Sequence, residues 1–561
     1  MPLKFYNLDL RDASFRPVLL SLERNDAIGR IGRKDHTIWK ERDEEVRNRL
    51  GWLDAPERME KARRDAEAFA REAVSAGFER VLLLGMGGSS LAPEVFARLF
   101  GPQPGGLPLD VLDSTNPAAV LRSARSLDVS ATLFLVSSKS GTTLETAALM
   151  DYFFALAAAA LGSEKAGTRF AAITDPGSAL EDEARRRGFR RVFHGDPGVG
   201  GRFSALSPFG LIPAALIGLD LNRLLGRARE EMRASRNGRL EENPAALLGA
   251  LLGALALAGK DKAAFLLSPR LSVFGAWLEQ LIAESTGKDG RGILPLVRFA
   301  EDSPGRPSSD KVFVSLALGK DDALARREAA LASQGAPLIS LALASAADVG
   351  GQFYFWEFAT AVAGAVLGIN PFDQPQVALS KEKTAAALGR LKRGERAAGP
   401  SPAARESGLL LFLDGKALSL TDGLGEFFGR HKDGDYAALQ AFLPPFPEVE
   451  AALRRLAGRV EKRTGRPVTF DFGPRFLHST GQLHKGDGGN GRFLQLTADH
   501  PEDAALPSSA VEPEFRLTFG QLIDAQAAGD REALGEKGRP LARVHIEGNV
   551  VEGLDRLASL F

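Results

Sequence analysis

An α/β protein built on parallel sheets is the fold class the sequence predicts, and three observations predict it. Fully apolar runs of strand length, VLLL at 81–84 and LFLV at 133–136, read as strands buried on both faces. Each run stops at a glycine- or hydroxyl-rich turn and is followed by a helical stretch. The alternation starts again after residue 245, so two doubly wound units are expected, followed by a C-terminal unit that mixes short strands with helices.

Taken in chain order, residues 1–56 read as an N-terminal extension and 57–240 as the first α/β domain. Residues 57–79 (ERMEKARRDAEAFAREAVSAGFE) space their apolar positions as an amphipathic helix does. The strand at 81–84 then runs into Gly85-Met86-Gly87-Gly88-Ser89-Ser90. The second strand ends in Ser137-Ser138-Lys139-Ser140-Gly141-Thr142-Thr143, and an Ala-rich helix follows. A third strand, RFAAIT, stops at Asp175-Pro176-Gly177. The basic stretch ARRRGFR just beyond reads as a solvated helix end. The second domain, 241–392, takes its strands from 263–267, 311–316 and 337–341. Residues 393–406 (RGERAAGPSPAARE) have the composition of a linker. The C-terminal unit, 407–561, holds one clear helix, EVEAALRRLAGRVEKRTG.

Composition narrows the function. Of 561 residues, 44% are apolar and 25% charged, an ordinary globular balance. Lys+Arg and Asp+Glu are 71 each, so a whole-protein nucleic-acid footprint is not expected. The absence of cysteine removes disulfides, thiolate metal sites and cysteine nucleophiles together. Seven histidines, scattered singly, give no metal-ligand spacing. The N-terminus has charges where a signal peptide would have an apolar core. No apolar run reaches the roughly 18 residues of a membrane span free of charge, proline or turn signal. A soluble, cytoplasmic chain with no membrane partner is the expectation.

Two loops point to an anionic ligand. Glycines at 85, 87 and 88 let backbone N–H groups approach a phosphate, although a tight strand-to-helix turn would use the same residues. The third glycine of a dinucleotide fingerprint is absent, and no acidic ribose partner follows, which disfavours an oxidoreductase. The run Ser138-Lys139-Ser140-Gly141-Thr142-Thr143 is more specific. It sets four hydroxyls and an ammonium at the carboxyl end of a strand, where open α/β sheets bind ligands. A helix cap needs only one of those hydroxyls.

These loops, SKSGTT followed by ET and preceded by GMGGSS, resemble the sugar-phosphate-binding half of the glucose-6-phosphate isomerase family. Three further segments match in order. They are Gly200-Gly201-Arg202-Phe203-Ser204 with Pro208-Phe209-Gly210, then Glu284-Ser285-Thr286-Gly287-Lys288 preceded by Gln280, then Gly368-Ile369-Asn370-Pro371-Phe372-Asp373-Gln374-Pro375-Gln376-Val377 followed by Lys381. HTIWKERDEEVRNRLGWLDAPE and RFLHSTGQLHKG further resemble the isomerase half of bifunctional transaldolase/glucose-6-phosphate isomerase chains. No transaldolase half is visible, so a free-standing version is expected. Three departures stand out. Gln376-Val377-Ala378 replaces the usual Gly-Val-Glu, residues 285–430 contain no histidine, and the His478-Ser479-Thr480-Gly481-Gln482 look-alike comes after the last signature.

The resemblance implies two sugar-isomerase (SIS) type domains and an aldose–ketose isomerase acting through a cis-enediol in glycolysis and gluconeogenesis. It assigns the proton-shuttling carboxylate to Glu284, the cation for the enediolate to Arg202, and ring opening to Lys381 with His478, His484 being the alternative histidine. It assigns substrate binding to Gly87, Gly88, Ser89, Ser138, Lys139, Ser140, Thr142, Thr143, Gln280 and Gln374. No metal or organic cofactor is expected, because side chains supply every charge of a proton shuttle. The family implies a homodimer, while a histidine supplied in the same chain leaves a monomer open. A sugar-phosphate sensor on the same fold, and an isomerase acting on mannose-6-phosphate, are the competing readings.

Overall fold

The computed structural model describes residues 3–10, 12, 15–298, 308–393, 395, 401–414, 417–507 and 517–561. By its internal packing the chain divides into two units. One comprises Met1–Asp113, Leu127–Pro295 and Pro307–Asp373; the other comprises Ser114–Ser126, Leu296–Arg306 and Gln374–Phe561.

The first unit holds two sheets among its described residues. Strand β1 is Lys4–Tyr6. The first sheet is formed by β2 (Arg80–Gly85), β3 (Leu109–Leu112), β4 (Thr132–Ser137), β5 (Phe170–Thr174) and β6 (Arg191–His194), in the order β3-β2-β4-β5-β6 and parallel throughout. The second is formed by β7 (Lys262–Leu267), β8 (Leu294–Leu296), β9 (Lys311–Leu318) and β10 (Leu338–Leu343), with β1 on its edge, in the order β1-β10-β9-β7-β8. The apolar runs behave as their sequence requires: Leu133, Phe134, Leu135 and Val136 are all inaccessible to solvent, as strands covered on both faces must be.

The N-terminal segment is built into this unit instead of trailing from it. Lys4–Tyr6 pairs antiparallel with Ser340, Ile339 and Leu338, and the Asn7 amide donates to the carbonyls of Ala332 and Ala336. Trp39 and Trp52 are buried, and their rings pack against Phe372 and Phe203. The expected helix over 57–79 is two helices, Ala55–Arg58 and Glu60–Ser75, separated at Met59, and Gly77 with φ +79 turns the chain out of the second. Leu144–Leu161 is long and apolar enough by composition to cross a membrane. It follows β4, however, and its Asp151 is ion-paired with Arg187. Arg187, only 8% exposed, is the exception to the solvated helix end expected near 185–191, where Arg185 and Arg186 are exposed.

The second unit combines strands with helices and has one described sheet, whose strands run in both directions. Its strands are β11 (Ala404–Glu406), β12 (Leu409–Phe412), β13 (Tyr436–Phe442), β14 (Val468–Phe472), β15 (Gly491–Ala498) and β16 (Leu541–Ile546), in the order β11-β12-β16-β15-β13-β14. The first two run antiparallel to their neighbours and the rest are parallel. The linker expected over 393–406 therefore ends in an edge strand; Gly394 and 396–400 lie outside the described residues.

Helix Pro375–Lys392, expected in the second domain, packs in this unit against helix Phe519–Glu536. Gly529 makes the contact close: a Cβ there would lie 2.6 Å from the backbone nitrogen of Thr384. Lys383–Glu536 and Arg390–Glu532 bridge the same two helices. Residues 114–126 also pack here, with the Thr115 hydroxyl donating to Gln526 at 2.6 Å and Arg122 stacked on Phe446. Neither arrangement follows from local periodicity, because each depends on a partner far away in sequence.

Candidate active site

In the first sheet the chain goes from β2 outward to β3 and then returns to the other side of β2 as β4. The crevice between the carboxyl ends of β2 and β4 is therefore the topological switch point, where such sheets bind ligands. The two loops singled out in the sequence leave these adjacent strands, whose last residues Gly85 and Ser137 are partners in register.

The hydroxyl loop is held by its own side chains. Ser140 and Thr142 hydroxyls lie 2.8 Å apart, and the Ser138 hydroxyl donates to Thr143 at 3.3 Å. Gly141, at φ +70, faces the backbone nitrogen of Leu180, which a Cβ would meet at 2.3 Å. The Lys139 ammonium, expected on a phosphate, is ion-paired with Asp175 and donates to the Asp196 carbonyl at 3.2 Å. Burial pushes the Asp175 carboxyl above its ordinary value, against the pull of Lys139. Asp175 and Asp196 carry no motif signal of their own; Asp175 is visible in the sequence only as the turn that ends β5.

The glycine loop has a role that its composition does not reveal. A Cβ on Gly88 would lie 2.1 Å from the Gly201 carbonyl oxygen and 2.9 Å from the Arg202 nitrogen. The missing side chain thus admits the Gly201–Phe203 turn, and the Ser204 hydroxyl donates to the Gly88 carbonyl at 3.3 Å. Gly88 seats Arg202.

Arg202 and Glu284 form the centre of the site. Helix Ser272–Thr286 is buried along almost its whole length, with Gln280 and Glu284 four residues apart and hence on one face. The Arg202 side chain is 2% exposed and that of Glu284 6%, and Arg202 Nη1 donates to Glu284 Oε1 at 2.8 Å. The guanidinium is fixed further by Nε to the Ser285 hydroxyl at 2.8 Å, and by Nη2 to the carbonyls of Pro371 at 2.7 Å and Asp373 at 2.8 Å. Glu284 Oε2 is buried and accepts no hydrogen bond among the described residues. Phe203 and Phe372 flank the cluster, 5.3 Å apart, with Trp52 5.1 Å from Phe203. This aromatic wall lowers the local dielectric and strengthens every charge interaction in front of it.

Two cluster members lie in the quoted signatures but receive no role from the sequence: Lys288 and Asp373. Lys288 is buried, with Nζ donating to the carbonyls of Asn370 at 2.7 Å and Asp373 at 2.6 Å, and 2.8 Å from Asp373 Oδ1. Burial, with repulsion from Arg202, brings its pKa down to about 7.

The remaining expected residues belong to the second unit. Gln374 and Lys381 are exposed, at the start and in the second turn of helix Pro375–Lys392. The N-terminus of that helix meets the histidine segment of the same unit, the Gln376 N–H donating to Gln482 Oε1 at 2.9 Å. His478 is half-buried, at the end of the turn Arg475–His478. His484 is fully enclosed by Phe493, Phe476 and Tyr436, and burial holds it well below its ordinary pKa, hence neutral.

The fold and this site define an α/β protein with a glycine-rich loop at the switch point and, on the turn that this loop seats, a guanidinium that clamps a buried carboxylate. The family model for phosphoglucose isomerase matches residues 64–292. A glucose-6-phosphate isomerase of Symbiobacterium thermophilum is 30% identical over 391 residues, covering 61% of this chain and 87% of the relative. The chain belongs to the phosphoglucose isomerase family. Against two Synechococcus glucose-6-phosphate isomerases it is 39% and 36% identical but spans less than half of their length, 40% and 48%. A glucose-6-phosphate isomerase structure from Chlamydia trachomatis shares the fold, with TM-score 0.59, 21% identity, and coverage of 70% of this chain and 89% of that one. A hypothetical protein from Thermus thermophilus aligns over its whole length with TM-score 0.55 and 27% identity, covering 71% of this chain.

Proposed function

We propose that the protein interconverts glucose-6-phosphate and fructose-6-phosphate, as a glycolytic and gluconeogenic enzyme of the cytoplasm. The single observation that carries this reading is Glu284: one oxygen clamped by Arg202, whose turn packs on Gly88 of the glycine loop, and the other buried and unbonded among the described residues.

In the open-chain aldose the carbon-bound proton at C2 passes to the unbonded oxygen of Glu284, the C2 electrons form the C1–C2 double bond and the C1 carbonyl electrons move to O1. A proton moves from O2 to O1 through the cis-enediol, Glu284 returns its proton at C1, and the C2–O2 carbonyl of the ketose is left. The reverse transfer gives the aldose. A carboxylate oriented through its other oxygen loses no freedom when it attacks. Arg202 contributes positive charge beside the oxygen on which negative charge develops. Ser89, Ser138, Ser140, Thr142 and Thr143, with the backbone at Gly87 and Gly88, hold the phosphate, and Gln280 and Gln374 contact the sugar. The binding energy of that remote phosphate aligns the reacting carbons. Lys381 and His478 open the ring; half-exposure favours His478 over the enclosed, neutral His484.

A coupled assay of fructose-6-phosphate conversion, with Glu284→Gln alongside, tests the reading. Activity in the wild type and its loss in the variant, with KM little changed, is the expected result. Tight sugar-phosphate binding with no turnover in the wild type would make the protein a sensor instead.

A further inference from the structure

Lys288 has no part in the chemistry above, yet it lies inside the cluster that performs it. A buried ammonium is costly, and here it stands beside a second buried cation, Arg202, which makes it costlier. What it obtains in return is specific. Its Nζ reaches two backbone carbonyls of one turn, those of Asn370 and Asp373, and the Asp373 carboxylate at 2.8 Å. The Asp373 carbonyl is also an acceptor for Arg202 Nη2, at 2.8 Å. One oxygen therefore receives hydrogen bonds from both cations, and the turn that presents it is pinned on one side by Lys288 and on the other by Arg202.

We propose that Lys288 is a positioning residue for the isomerisation: it fixes the 370–373 turn, whose carbonyls hold the Arg202 guanidinium in the plane that clamps Glu284. The proposal rests on the isomerase reading. Without Lys288 the turn loses its hold on the segment that follows helix Ser272–Thr286, and two of the acceptors that orient Arg202, the carbonyls of Pro371 and Asp373, lose their fixed place. Glu284 Oε1 then keeps its cation but not a single geometry.

The device is sensitive to pH. The charged groups that face the Lys288 ammonium are Arg202 from the turn at 201–203, Glu284 from its helix and Asp373 from the 370–373 turn. Its loop neighbours point elsewhere, Asp289 to Lys40 and Arg291 to the Leu367 carbonyl. With the ammonium titrating near pH 7, the ion pair to Asp373 is present below that pH and lost above it.

The test uses the full chain and compares wild type, Lys288→Met, Asp373→Asn and Glu284→Gln. For each, kcat and KM for fructose-6-phosphate are measured from about pH 5.5 to 9.5, a range that brackets the lysine titration, with thermal unfolding in parallel. In Lys288→Met, kcat should fall about 10- to 100-fold, the order seen when a reacting group is misplaced by about an ångström, with KM within about threefold. The wild-type kcat/KM profile, which reports the free enzyme, should show an alkaline limb near pH 7 that Lys288→Met lacks. Asp373→Asn keeps the shared carbonyl but removes the negative charge, so its limb should move to lower pH. It decides the question even if Lys288→Met does not fold. A variant with lowered thermal stability but wild-type kcat and an unmoved pH limb would reduce Lys288 to a structural role and overturn the proposal. A wild type that converts neither sugar phosphate, matched by an equally inactive Glu284→Gln, would instead overturn the isomerase reading, and this proposal with it.

Discussion

Each unit contains a buried ion pair, and the two pairs share a layout. Lys485 and Asp530 are both fully buried and 2.5 Å apart; Arg202 and Glu284 are nearly as buried and 2.8 Å apart. In both, one carboxylate oxygen is held by the cation and the other has no hydrogen-bond partner among the described residues. An unsatisfied buried oxygen is therefore not by itself a mark of chemistry. The difference lies in what fixes the cation. Lys485 otherwise donates to the Gly481 carbonyl, one turn back on its own helix, at 3.2 Å. Arg202 is gripped from helix Ser272–Thr286 and from the 370–373 turn, and Gly88 leaves its backbone room. The first pair joins two helices. The second holds a reactive oxygen in one orientation.

The sharpest way to break this contrast is to neutralise each carboxylate in turn. Glu284→Gln should lower kcat by about 10²–10⁴-fold, the usual worth of a general base, and should lower the unfolding midpoint as well, since it leaves Arg202 buried without its counter-charge. Equal turnover in variant and wild type would remove the functional half of the comparison. Asp530→Asn should act on stability alone. It leaves Lys485 buried without its counter-charge and should cost about 3–5 kcal/mol of stability, with kcat per folded molecule unchanged. The paired replacement Lys485→Met/Asp530→Leu should recover most of that loss, because an apolar pair of similar volume avoids the desolvation penalty. Chemical denaturation of the single and double variants measures both.

Gly88→Ala sharpens the geometric side. A methyl group 2.1 Å from the Gly201 carbonyl must displace the turn that bears Arg202. A kcat loss of about tenfold or more, with circular dichroism unchanged, is expected; a wild-type rate would show that the close approach is irrelevant to Arg202.

The smallest expected effect is on stability against pH. Lys288 titrates near pH 7 in the folded state and at the ordinary lysine value of 10.5 when unfolded. Between those values the unfolded chain binds more protons, so Lys288 makes the folded state more stable as pH rises from 7 toward 10.5. That contribution is lost again as pH falls back through 7. Subtracting the pH dependence of Tm for Lys288→Met from that of the wild type should leave a residual slope of this sign, and a flat difference would refute it.

Much of this was legible in the chain order of residue types. Runs such as 133–136 could only be buried strands, and a hydroxyl-rich loop after one of them could only sit at the sheet's carboxyl end, because strand direction dictates which loop is where. Gln280 and Glu284, four apart, share a helix face wherever the helix packs. What local pattern could not supply was partners. Lys139 reads as a phosphate ligand, and its pairing with Asp175 shows only in the fold. Gly88 reads as an anion cradle, and that its missing side chain also admits the Gly201 carbonyl shows only in the fold. Lys288 and Asp373, 85 residues apart, show no periodicity that links them. The N-terminal 56 residues read as an extension, and the Phe203 and Phe372 rings that pack on their tryptophans come close only in the fold.

The sequence alone thus determined the apolar strands of the first unit, their order and the residue types available for proton transfer, since backbone propensity and side-chain periodicity act over a few residues. Tertiary structure alone decided which carboxylate has a clamped and an open oxygen, and which lysine is buried next to an arginine. Those properties arise from charge, burial and distance between segments that the chain brings together only when it folds.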